Sequence, residues 1–338
     1  MSEESKKILI LRFGALGDIV HTTIIAQAIK NKYPNCEIHY CCEARYVEVL
    51  QNNPDIDKVI SYDHKRRKDF SYNLDTALRF RHEHYDVIFN LTNAFRNNFI
   101  TFVASPKMKV TKQPMGNRHV VDAFFRAAKI AFPQIKQPKN LRLGLDEKVQ
   151  KDMETRLSQY SRPFIVFSPG GETDKNRQGR TWPAQHWVEL GQMLGSIYGG
   201  TIFISGSPDE KAYHKTISDK ITGSVLFSGT LPISHSMCLI ALSDLFISGD
   251  SGPLHIASAL CKNVIGIYGS TNPENVRPYG ERGYCAEPMI DCRYCWQKEC
   301  QYLEPGQKHT PCISSIRPEH ILHLINSKKI FASSFETS

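Results

Sequence analysis

Short apolar runs recur along this 338-residue chain in two series, each run followed by a polar turn and then a stretch with helical spacing. Runs this short, bounded by turn residues, read as strands buried on both faces, as in a parallel sheet covered by crossover helices. The chain is therefore predicted to be α/β, with a doubly wound parallel sheet in each half.

In the first series, strands are expected at residues 8–13, 38–42, 58–62 and 87–91. The first helix carries Ile19, Val20, Ile24, Ala28 and Ile29 on one face and is ended by Pro34. Further helices are expected from Ala44 and around residues 74–84, 95–104 and 119–130, with 133–138 as loop. After an amphipathic stretch at 148–160, the second series places strands at 164–167, 201–205, 225–227, 245–248 and 264–268. Its helices fall at 183–198, 209–220, 234–242 and 254–260. A fresh buried strand starts after Arg162-Pro163, so the boundary is expected at 155–162, giving domains 1–158 and 159–338.

Two polar loops stand out: Gly14-Ala15-Leu16-Gly17-Asp18, and Ser248-Gly249-Asp250-Ser251-Gly252-Pro253-Leu254-His255. Each follows an expected strand and opens into a helix, where glycine lets backbone approach a ligand and free N–H groups face an anion. Together they predict two Rossmann-like domains facing across a cleft. The first loop has only two glycines, three apart, so it lacks the dinucleotide fingerprint and a dehydrogenase loses support. Asp18, followed by His21, Thr22 and Thr23, reads either as a helix N-cap or as a carboxylate of a site.

In the second half, Asp250 either shapes its loop or meets a ribose, and His255 reads as a structural or a site histidine. The loop Gly269-Ser270-Thr271-Asn272-Pro273 follows the next strand. Ser168 and Gly170 open a long polar loop bearing Lys175, Arg177 and Arg180 just before the helix at Pro183. Three loops at one sheet edge, with cations beside glycine and hydroxyl groups, point to a diphosphate.

The net charge of +8 and pI near 8.9 favour an acidic partner: nucleic acid, an anionic membrane, or a phosphorylated or carboxylated substrate. No basic–aromatic interleaving, zinc-finger spacing or helix-turn-helix signal supports nucleic acid. No stretch approaches the roughly 18 apolar residues of a spanning helix, so a cytoplasmic, unprocessed protein is expected. Of ten cysteines, Cys36, Cys41, Cys42, Cys238 and Cys261 sit in apolar contexts as small hydrophobes. Cys292, Cys295, Cys300 and Cys312, with Cys285 and His309 nearby, leave three readings open: a four-coordinate structural metal site, reduced thiols, or a disulfide.

At these residues the chain resembles glycosyltransferase family 9, the bacterial heptosyltransferases of lipopolysaccharide inner-core synthesis. Gly17-Asp18-x-x-His21-Thr22 is similar to the family's opening motif. Arg180-Thr181-Trp182-Pro183 with His186-Trp187 resembles its basic-x-Trp-Pro signature, and Asp250-Ser251-Gly252-Pro253-Leu254-His255 its Asp-[Ser/Thr]-Gly-x-x-His loop. Tyr268-Gly269-Ser270-Thr271-Asn272-Pro273 resembles the segment that follows, and the 90–96 loop stands where the family has a loop near the acceptor. The likeness runs over residues 7–325.

The resemblance implies a GT-B fold, with the acceptor on the N-terminal domain and the donor on the C-terminal one. It implies inverting, metal-independent transfer of heptose from ADP-heptose or a related nucleotide sugar to an inner-core sugar hydroxyl. Asp18 is then the general base, and Arg180 offsets the departing diphosphate. Ser168, Gly170, Arg177, Asp250, Ser251, Gly252, His255 and Thr271 would bind the donor; Gly17, His21, Asn93 and Arg96 would bind the acceptor. Arg180 departs from the lysine that many members carry, exchanging a point charge for a planar fork.

Related autotransporter-modifying heptosyltransferases carry a four-cysteine metal finger, which implies a structural zinc or iron on Cys292, Cys295, Cys300 and Cys312. An anionic glycolipid acceptor implies peripheral contact with the inner membrane, where the basic residues 64–68, Arg79, Arg81 and Arg96 would meet phosphates and carboxylates. Two rivals stand beside this reading: a family 9 transferase using another nucleotide sugar or a protein acceptor, and a non-enzymatic module binding nucleotide sugars or nucleic acid.

Overall fold

The computed structural model describes residues 6–92, 94–171, 179–261 and 263–331. The chain divides into two units between Leu145 and Asp146. The first unit holds five parallel strands: β1 (Lys7–Leu11), β2 (Glu37–Glu43), β3 (Lys58–Tyr62), β4 (Val87–Asn90) and β5 (Met108–Thr111). Their spatial order is β3-β2-β1-β4-β5, so the winding reverses between β1 and β4.

The second unit holds six parallel strands: β6 (Phe164–Ser168), β7 (Thr201–Ile204), β8 (Val225–Leu226), β9 (Leu245–Gly249), β10 (Val264–Ile267) and β11 (Gly283–Ala286). The order β11-β10-β9-β6-β7-β8 reverses between β6 and β9. Each unit is a doubly wound α/β domain, and in such sheets ligands sit at the carboxyl ends of the strands where the winding reverses. Both loops singled out in the sequence leave a strand at its unit's reversal.

β5 and β11 were not expected. Both are four-residue edge strands that bury one residue each, Val110 in β5 and Ala286 in β11, so neither shows as a buried run. The first helix, Leu16–Lys32, is not one-sided: residues 19–29 are all buried between the sheet and the Val120–Ala131 helix. Thr22 and Thr23 tolerate this because their hydroxyls donate to the carbonyls of Ile19 and Val20.

The boundary lies earlier than the expected 158/159 division. Asp146 caps the Glu147–Leu157 helix by accepting from the N–H groups of Lys148 and Val149. That helix buries Met153 and Leu157 and packs on the Ile233–Leu242 helix, which ties it to the second unit.

The second unit's core includes Trp182 and Trp187, whose rings meet edge to face at 5.0 Å, with Ile165, Phe167, Ile247 and Ile265. Each large apolar side chain fully buried in this way contributes roughly 1.5–3 kcal/mol. Among the described residues no helix is long and apolar enough to cross a membrane.

Candidate active site

In the first unit the chain leaves β1 through Arg12 and Phe13. Arg12 Nη1 donates to the carbonyl of Leu91, just beyond β4, at 2.7 Å, while Nη2 grips Asp18 Oδ2. One guanidinium thus links the two strands at the reversal. Asp18 is not the N-cap: Ala15 holds that place, and Asp18 lies in the first helical turn with its carboxylate on Arg12 instead of a backbone N–H. Its side chain is partly exposed, and Oδ1 takes no hydrogen bond from a described residue.

A second carboxylate stands close by. Glu43 ends β2 and is buried, with Arg45 Nε and His64 Nδ1 each 2.9 Å from it. A Cβ on Gly14 would come within 3.0 Å of Glu43 Oε1, so glycine is what lets the loop pass this close. Gly17 is the second residue of the Leu16–Lys32 helix.

Arg96 lies over the rings of Phe13 at 4.9 Å and Tyr62 at 5.3 Å, which themselves stack at 4.1 Å. His21 is buried against the edge of His119, which caps its own helix through Nδ1 and Val121 N–H. Asn93 lies outside the described residues. Arg12 and Glu43 carried no role in the sequence reading; the sign that could have found them is a charged residue ending each of two adjacent strands.

In the second unit, loops from β6, β9 and β10 close on one another. Gly179 accepts from Ser270 N–H at 3.2 Å, and a Cβ on Gly269 would stand 2.3 Å from Gly179's carbonyl oxygen. Arg180 Nη2 lies 3.0 Å from Asp250 Oδ2 and also donates to the Asp250 carbonyl. His255 Nε2 lies 3.7 Å from Asp250 Oδ1. Burial of Asp250 disfavours its charge, but the His255 hydrogen bond, the Arg180 charge and the Thr271 hydroxyl outweigh it and hold the carboxyl below its ordinary range.

Asp250 therefore faces inward as the loop's fixed anion. Ser251 caps the Gly252–Leu260 helix with no side-chain bond to it, its Oγ lying instead 2.9 Å from Ser248 Oγ. The N–H groups of that first turn are left without a side-chain cap. Ser168 is buried, its carbonyl accepting from Ser248 Oγ at 2.9 Å. Gly170, at φ +77°, is held through its carbonyl by His214 Nε2 at 2.8 Å; His214 Nδ1 then takes the Ser228 hydroxyl at 2.6 Å. Burial lowers the pKa of His214, in keeping with this neutral form. Lys175 and Arg177 lie outside the described residues.

The signature tryptophans are core, not site. Trp182 Nε1 donates to Ile316's carbonyl at 2.7 Å, and Arg317 Nη1 donates to His186 Nε2 at 2.9 Å, so this stretch clamps the Pro318–Ser327 helix.

The cysteines of the metal reading do not close into a ligand set in this structure. All ten cysteines are free thiols, and among the described residues no group of three or more His, Cys, Asp or Glu is placed to hold an ion. Tyr294 and Trp296 tie their N–H groups to the carbonyls of Gly269 and Ser270, and between them Cys295 is exposed to solvent. Cys312 is buried, 3.1 Å from Thr310 Oγ1. Cys292 lies within electrostatic reach of Cys295 and Cys300, and Cys312 of Cys292 and Cys300, so the four thiols share one neighbourhood.

Two doubly wound units, each with a polar constellation at its winding reversal, define a GT-B class fold. The description glycosyltransferase family 9 (heptosyltransferase) matches residues 74–304. The chain belongs to glycosyltransferase family 9 and is a glycosyltransferase. It is 26% identical over 301 residues to the lipopolysaccharide core heptosyltransferase OpsX of Haemophilus influenzae, covering 82% of this chain and 83% of that one. The fold resembles that of a family 9 glycosyl transferase from Veillonella parvula, with TM-score 0.82, 18% identity and coverage of 97% and 98%. It also resembles the E. coli ADP-heptose lps heptosyltransferase II, with TM-score 0.77, 18% identity and coverage of 97% and 99%.

Proposed function

We propose that this glycosyltransferase moves heptose from ADP-heptose to a sugar hydroxyl of the lipopolysaccharide inner core, with inversion and with no metal in the step. The observation that carries the reading is Asp18, a carboxylate fixed by Arg12 at the reversal of the first sheet with one oxygen left for a substrate. Arg12 holds Oδ2, and Oδ1 accepts the proton of the acceptor hydroxyl as its oxygen bonds to the anomeric carbon. The bond from that carbon to the diphosphate breaks, and ADP leaves with the electron pair. A single displacement of this kind inverts the anomeric centre.

The second unit supplies what the leaving group needs. The uncapped first turn of the Gly252–Leu260 helix, Ser251 and Arg180 offer N–H, hydroxyl and guanidinium donors to the diphosphate. Ser168, Gly170, His255 and Thr271 shape the loops around it, Asp250 anchors Arg180, and Arg177 extends the cationic loop. Gly17, His21, Asn93 and Arg96 serve the acceptor, His21 from behind the loop because it is buried. The enzyme works at the cytoplasmic face of the inner membrane, in peripheral contact with an anionic glycolipid.

Isothermal titration with ADP, UDP and GDP, followed by transfer from ADP-heptose to a heptose-deficient core, tests this. ADP is expected to bind tightest, the acceptor to gain one heptose of inverted configuration, and EDTA to leave turnover unchanged. Preference for another nucleotide, or no mass gain, would overturn the assignment.

A further inference from the structure

The Phe70–His82 and Phe95–Ala104 helices pack side by side in the first unit. Their inward residues, such as Phe80 and Ile100, are buried as expected. The outward face of the Phe95–Ala104 helix is largely apolar too, while that of the Phe70–His82 helix shows Phe70 among Ser71, Asp75 and Arg79. Phe95, Phe99 and Phe102 recur at helical spacing, with Phe95 89% and Phe102 81% exposed. Phe70, 64% exposed, meets Phe99 at 5.3 Å between ring centroids and so adds an aromatic ring from the neighbouring helix to this stripe. A soluble protein gains nothing by holding several phenylalanines in water, and a contiguous exposed patch of this kind marks a docking surface.

The charges around the patch name the occupant. Asp69 and Asp75 are matched by Arg66 at 2.6 Å and Arg79 at 3.0 Å. Lys65, Arg67 and Lys68, just ahead of Phe70, and Arg81 make no ion pair with a described residue. Lys109 Nζ bonds Asn98 Oδ1 at 3.2 Å, which places a further cation between Phe95 and Phe102 on the helix face. A second copy of this chain would set these cations against each other. We propose that this face docks on an anionic lipid bilayer, the phenylalanines entering the interfacial layer and the cations meeting lipid headgroups. The inference rests on the proposed glycolipid acceptor for its purpose and adds the surface that reaches it.

Full-length protein is sedimented with vesicles of phosphatidylcholine alone and of phosphatidylcholine with phosphatidylglycerol, beside a Phe95→Ser/Phe102→Ser variant. Both side chains are exposed, so the variant is expected to match the parent in melting temperature and ADP affinity. Mixed vesicles should bind the parent at least about tenfold better than neutral ones, with affinity falling as salt rises. The variant should lose about tenfold or more on the mixed vesicles. Equal binding of parent and variant, or of both lipids, overturns the proposal, as does a parent that dimerises without lipid while the variant stays monomeric. Vesicle binding that follows this pattern in a protein with no ADP affinity would sink the proposed function and leave the docking surface standing.

Discussion

Arg180 and Asp250 hold each other by two contacts, with Nη2 3.0 Å from Oδ2 and also bonded to the Asp250 carbonyl. The cation at the centre of the donor loops is therefore fixed before any ligand arrives. Asp250→Ala removes the buried partner and leaves Arg180 unanchored. Stability is expected to fall by about 3 kcal/mol, and ADP affinity with it. Calorimetric melting and ADP titration check this; an unchanged melting temperature would show the pair to be energetically idle.

Asp18→Asn keeps the side chain's shape beside Arg12 but removes the base. Turnover should drop by about 10²–10⁴-fold while ADP affinity stays at the parent value. Steady-state rates and titration on the same preparation separate the two, and a variant that keeps most of its turnover would move the base elsewhere, with Glu43, beside the same loop, the next carboxylate to try.

Gly269→Ala puts a methyl group 2.3 Å from the Gly179 carbonyl oxygen, backbone against backbone. Neither loop can yield without opening the Gly179–Ser270 hydrogen bond. A loss of roughly 1–3 kcal/mol in stability is expected, accompanied by weaker ADP binding. Thermal melts and titration read both.

Glu83 is held by Lys7 at 2.5 Å and Lys58 at 3.1 Å, and the Lys7 hydrogen bond leads in pulling its pKa down to about 2. A carboxyl depressed on folding adds stability that is present above its unfolded pKa, about 4.3, and is lost as pH falls towards 2. The stability gap between parent and Glu83→Gln should be constant above about pH 5 and close on acidification through this window. Urea titrations across pH measure it; a gap that persists at the acid end would mean that the charge contributes nothing.

Iodoacetamide at pH 8 should modify Cys295 first, because it is the exposed thiol. Cys42 and Cys285, pushed up to about 12 by burial, should stay unmodified until the fold opens. Peptide mass mapping over time gives the order.

Much of the fold was legible because parallel strands buried on both faces leave apolar runs, as at β1, β4, β6 and β9. The edges were not: β5 and β11 meet solvent, and a strand that buries a single residue writes no pattern. The loops of the second unit showed in their glycines and charges, and the structure brings Arg180, Asp250 and Ser270 together as that composition suggested. The role of Arg12 stayed hidden, since its partners Leu91 and Asp18 become neighbours only when β4 lies beside β1. At the cysteines, Cys292, Cys300 and Cys312 come within electrostatic reach of one another, while the backbone ties of Tyr294 and Trp296 leave Cys295 exposed, a contrast that C-x2-C spacing alone does not carry.

The stretch from Arg180 to Trp187 answers to two masters. Arg180 serves the donor loops, while Trp182 and His186 hold the start of the chain's last described helix through Ile316 and Arg317. Damage to that distant helix would reach the donor loops through Trp182. In a screen scored by turnover alone, a lesion at Arg317 or Ile316 would pass for a chemical defect, though no atom there need touch a substrate.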